Sequence, residues 1–148
     1  KEYRRQRQMC IRDSLMIIPI YIAFHADDYT HLNSAAASER HTAIKDSIEN
    51  KSRPITDIDV AFEDTIEALA ETLDPSTASG IVFGTSDWDG EDLTDGMRIT
   101  TPEQVTEYAA ALESLDPDEF DDPDPIDTLT DFYTAARDRG DAVAVYFN

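Results

Sequence analysis

Met97-Arg98-Ile99-Thr100-Thr101-Pro102-Glu103-Gln104 is the stretch on which the reading of the fold turns. Met97 to Ile99 has the make-up of a strand. Thr101 then supplies a helix cap, Pro102 sits in the first turn where its missing N–H does no harm, and Glu103 favours the positive end of the dipole. A strand running directly into a helix that reaches Leu115 is therefore expected here. Beyond it, Asp116 to Pro125 holds six acidic residues and three prolines and is too polar for core. Pro125 opens a last helix with Ile126, Leu129, Phe132, Tyr133 and Ala136 on its inner face, stopped by Gly140 after Arg137 and Arg139. Ala142-Val143-Ala144-Val145-Tyr146-Phe147 closes the chain as a strand.

Toward the N-terminus, Asp74-Pro75-Ser76 ends a helix capped by Asp57, whose apolar positions Val60, Ala61, Ile66, Leu69, Ala70 and Leu73 follow a 3.6-residue period. Between Ser76 and Gly96 the chain reads as loop, with a short strand at Ile81-Val82-Phe83. Earlier still, Arg53-Pro54 breaks the chain, and two short helices are expected, one from Asp27 to Leu32 and one from Ser34 toward Ile48. Met16 to Phe24 is β-branched and aromatic, a strand that Pro19 assigns to a sheet edge or a bulge. The expected fold class is α+β: a single compact domain over residues 16–148, with a small mixed sheet that includes the N- and C-terminal strands, packed against three or more helices.

Residues 1–14 differ in composition, holding five of the twelve basic residues and the one cysteine. Met9-Cys10-Ile11-Arg12-Asp13-Ser14 reads like a translated sequencing-adapter end, so residues 1–15 are expected to be an artefact or a disordered tail, with a native basic arm as the alternative. From Met16 onward there are seven Lys and Arg against thirty Asp and Glu, within a chain whose formal net charge is −20. Such a charge repels nucleic acid and anionic membrane surfaces and points to basic proteins or cations as partners. The excess of Asp over Glu and the scarcity of Lys also suit a salt-adapted surface. No cysteine remains for a disulfide or a thiolate metal site, and Leu15 to Phe24 is too short to span a bilayer, which together suggest a cytoplasmic protein.

Four segments resemble the YfbM-like family of small bacterial proteins: Met16 to Phe24; Asp57-Ile58-Asp59-Val60-Ala61-Phe62; Gly90-Glu91-Asp92 through Gly96, Arg98 and Ile99 into Thr101-Pro102-Glu103-Gln104-Val105; and Phe132-Tyr133 through Ala136 to Gly140-Asp141-Ala142-Val143. The resemblance implies a compact α+β domain and no established reaction. Where the family often carries a Trp-His pair, this chain has Phe62 and Glu63. Its Asp116 to Pro125 segment is also shorter and more acidic than the family's.

Few residues suggest chemistry. His25, Asp27, Asp28, His31 and His41 are metal-binding types, but their spacing fits no helical or strand ligand set, and no metal or other cofactor is expected. Asp87-Trp88-Asp89-Gly90-Glu91-Asp92 is similar to a calcium loop without its closing Glu, since Gly96 stands there. Trp88 is either packed on the domain or exposed as a contact anchor. Arg98, beside Asp92 and Asp95 in sequence, holds the loop by an ion pair or grips an anionic ligand. No Gly-x-Ser-x-Gly motif or phosphate-binding glycine loop is present. Trp88, Asp89, Asp92 and Arg98 are thus the candidate binding residues, with none assigned to catalysis. Two functions fit: a non-catalytic interaction module of the immunity or inhibitor type that meets a basic protein, or a small enzyme or ligand binder with a pocket near Gly84 to Arg98.

Overall fold

The computed structural model describes residues 18–58, 62–88 and 97–147. The N-terminal tail, Val60 and Ala61, and the candidates Asp89 and Asp92 lie outside that range. The elements run β1 (Pro19–Phe24), α1 (Ala26–Asn33), α2 (Ala37–Asn50), β2 (Ile55–Asp57), α3 (Phe62–Thr72), α4 (Pro75–Phe83), β3 (Ser86–Asp87), β4 (Met97–Thr100), α5 (Pro102–Glu113), a single 3-10 turn at Pro117–Glu119, α6 (Asp124–Arg139) and β5 (Ala142–Phe147). The fold is an α+β single domain.

The sheet order is β2-β1-β5-β4-β3. Every described pairing is antiparallel, which corrects the expectation of a mixed sheet. The physical reason is that no βαβ crossover returns a strand beside its predecessor in the same direction. β1 is also not an edge strand, because β2 lies outside it. Pro19 is tolerated because β2 pairs only with Ile20 to Ile22, so at Pro19 one side of β1 has no described partner strand.

Side chains of the sheet alternate between two buried faces. Tyr21, Ala23, Val143, Val145 and Phe147 join Leu69, Ile81, Val82, Val105, Leu112, Leu129 and Tyr133 in a core under α3 to α6. Ile22, Phe24, Met97, Ile99, Ala142 and Ala144 join Leu32, Ile44 and Trp88 in a second core under α1 and α2. The result is four helices, a sheet and two helices in three layers. Burial on both faces explains why β5 reads as a continuous apolar run rather than an alternating one.

The expected helix starts and stops at α5 and α6 are present. Thr101 and Gln104 form a reciprocal capping box. Gly140 ends α6 in the left-handed region at φ 78°, and the Asp141 N–H reaches back to the Ala136 carbonyl. The stretch Ile81-Val82-Phe83, expected as a strand, is instead the last turn of α4. Asp74 caps that helix through its bond from the Ser76 N–H and Pro75 occupies its first turn, so the signal that closes α3 also opens α4. β2 had no counterpart in the sequence reading. Among the described residues, no helix is long and apolar enough to cross a membrane.

Gly84 follows α4 with φ 84° and ψ 161°, a conformation essentially restricted to glycine. A Cβ there would lie 2.9 Å from Arg98 Cβ and 3.3 Å from Val145 Cγ2. Gly84→Ala is expected to cost about 1–3 kcal/mol in chemical denaturation. Gly140→Ala, where a Cβ meets nothing within 4 Å, is expected to cost only about 1 kcal/mol.

Candidate functional site

One set of polar groups converges around the buried C-terminal end of α4. Ala78, Gly80, Ile81 and Val82 of this helix are buried, so its final carbonyls cannot turn to water. Tyr133 Oη donates to the Ile81 carbonyl at 2.8 Å, and Tyr21 Oη donates to the Val82 carbonyl at 2.7 Å. Arg98 Nε donates to the Phe83 carbonyl at 3.0 Å, and Arg98 Nη2 to the Gly84 carbonyl at 3.2 Å. The Gly84 N–H closes on the Gly80 carbonyl.

Strand register produces this arrangement. Tyr21 stands opposite Val145 and Val145 opposite Arg98, so the three lie in one row across β1, β5 and β4, on the face beneath α4. Tyr133 arrives from α6 on the same side. Tyr108 of α5 lies edge-on to Tyr133, and its hydroxyl shares a 3.0 Å hydrogen bond with Thr85 Oγ1. Gly80 is required beneath it, because a Cβ there would collide with the Tyr108 hydroxyl and lie 2.6 Å from its Cζ. The buried Thr100 hydroxyl lies near the Tyr133 hydroxyl.

Burial pushes the Tyr133 phenol well above its ordinary value, partly countered by the nearby Thr100 hydroxyl. Burial likewise raises Tyr21, with Tyr133 and Asp57 adding to the effect. Both phenols remain neutral donors through the physiological range. The cluster holds a helix end in place and contains neither an activated nucleophile nor a base.

Arg98 is thus positioned as a cap for α4 by donating to backbone carbonyls. Trp88 is 4% exposed and its ring is turned into the core, the packed placement of the two that its sequence context left open. It meets Phe24 edge-on at 5.6 Å and Tyr29 stacked at 6.3 Å, while its Nε1 donates to Asn33 Oδ1. Arg40 places its guanidinium 5.6 Å over the Trp88 ring while Nη1 donates to the Leu32 and Ala35 carbonyls. Arg53 lies 4.7 Å over the Phe24 ring, donates to Ser47 and approaches Asp28.

The histidines do not converge. His25 caps α1 by accepting from the Asp27 N–H, His31 lies 3.8 Å from Glu39, and His41 meets the Tyr146 ring edge-on. Among the described residues, no group of three or more His, Cys, Asp or Glu is placed to hold a metal ion.

The tyrosine cluster was not among the expected site residues, although the sequence carries a signal for it. Asp74-Pro75 and Gly84 bracket a nine-residue run, PSTASGIVF, with the start and stop chemistry of a helix. Tyrosine in place of phenylalanine on an apolar face points to a buried acceptor for its hydroxyl.

No protein-family profile matches the chain, and no curated protein matches it in sequence. Among solved structures it resembles the crystal structure of YfbM from Escherichia coli, described as a protein of unknown function. The likeness has a TM-score of 0.57 and 14% identity, covering 88% of this chain and 99% of that one. It supports a YfbM-like fold and carries no activity with it.

Removing either buried hydroxyl leaves a carbonyl without a donor. Tyr21→Phe and Tyr133→Phe are each expected to lower unfolding free energy by about 1–3 kcal/mol. Because folding raises both phenols, the unfolded state loses its protons first as pH rises beyond about 10. Stability is therefore fully present below that pH and declines above it. Denaturant titrations combined with tyrosinate absorbance should show unfolding and ionisation together, and the two Phe variants should weaken that pH dependence. For Trp88, emission should be blue-shifted and little quenched by iodide until the protein unfolds; ready quenching of the native protein would contradict its enclosed position.

Proposed function

We propose that this chain is a non-catalytic protein-interaction module, of the immunity or inhibitor type, that meets a basic partner through the outer surface of α3 to α6. The observation that carries this reading is the unequal charge of the two helical layers. Residues 102–131, which span α5 and the first half of α6, hold eleven acidic and no basic residues. Residues 62–87, which include α3 and α4, hold six acidic and none basic. On the other layer, residues 26–58 hold six acidic residues against four basic ones, Arg40, Lys45, Lys51 and Arg53.

Near the C-terminal end of α6, Arg137 bridges to Glu113 of α5 and to Asp138, and Arg139 pairs with Asp141 at 2.7 Å. The remaining carboxylates of the segment 116–131 are exposed. A one-signed surface of this kind attracts a basic protein and repels nucleic acid and anionic lipid.

Among the described residues no large apolar side chain is exposed. Recognition would accordingly rest on charge, with fast association and a marked response to salt, rather than on an aromatic hot spot. The alternative of a ligand pocket near Gly84 to Arg98 gains less support, because the Tyr21, Tyr133 and Arg98 donors are engaged by the α4 carbonyls.

The test is affinity capture from a bacterial lysate with the intact chain and two charge-reversed forms. Glu107→Lys with Asp127→Lys changes the acidic layer, whereas Glu49→Lys changes α2. One stoichiometric basic partner is expected, its retention reduced about tenfold or more by the first form, equivalent to about 1.4 kcal/mol, and left unchanged by the second. Equal retention by all forms, or turnover of a small molecule by the purified protein, would overturn the proposal.

The same charge distribution has a consequence for stability. Self-repulsion among exposed carboxylates is screened by added salt. The melting temperature is expected to rise between low and molar KCl; a flat or falling curve would show that the acidic layer does not strain the fold.

A further inference from the structure

We draw no further inference here: the strongest candidate, the half-buried Arg40 and Arg53 pair flanking the Phe24 and Trp88 rings between α1, α2 and the sheet, carries nothing because both guanidinium groups are already held by Leu32, Ala35, Ser47 and Asp28, the two unpartnered Nε groups are closed off from solvent, and nothing in the structure shows a ligand for them.

Discussion

A helix that ends inside a protein must find donors for its last carbonyls there, and in this fold that demand falls on α4. Its C-terminal end lies against the sheet, where Tyr21, Tyr133 and Arg98 supply the hydrogen bonds that water would otherwise make. Each donor comes from a different part of the chain. The position of α4 thus depends on the β1–β5–β4 register and on the docking of α6, and α4 in turn helps hold them together. A slip of one residue in β1 would carry Tyr21 to the opposite face and leave the Val82 carbonyl unpaired in a dry core.

The opposite face of the sheet is organised by aromatic rings and cations. Phe24 and Trp88 meet edge-on, and Arg53 and Arg40 lie over one ring each while bonding to the elements around them. Both Nε groups are buried without an acceptor, a cost that the ring faces offset in part. Of the seven basic residues in 16–148, these two stabilise the α1–α2 layer from within and Arg98 caps α4. The acidic outer surface of α3 to α6 is therefore left with few cations to balance it.

Legibility followed the locality of each signal. The strand-to-helix step at Met97 to Gln104, the stop at Gly140 and the closing strand could be read because caps, prolines and left-handed glycines act within one turn of chain. The helix α4 was misread as loop and strand because its β-branched and aromatic end, Ile81-Val82-Phe83, carries no helical period. Burial of Ala78, Gly80, Ile81 and Val82 leaves this end of the helix without the polar face on which a periodicity argument depends. Likewise, β2 is three residues long, and what makes it a strand is its pairing with Ile20 to Ile22. Trp88 could be read either way, since nothing local distinguishes an anchoring tryptophan from a packed one.

By itself the sequence determined the α+β class, the acidic character, the boundaries of α5 and α6, and the types of residue available for chemistry, because these depend on composition and on contacts a few residues apart. Tertiary structure alone decided which residues meet. It set Tyr21, Val145 and Arg98 in one row, brought Tyr133 from α6 to the same helix end, enclosed Trp88, and placed the unbalanced carboxylates on one layer. The physical reason is that hydrogen bonds between residues separated by 61 and 52 positions, such as Tyr21 to Val82 and Tyr133 to Ile81, leave no periodic trace in the chain. They exist only once the sheet register and the helix packing have closed the distance.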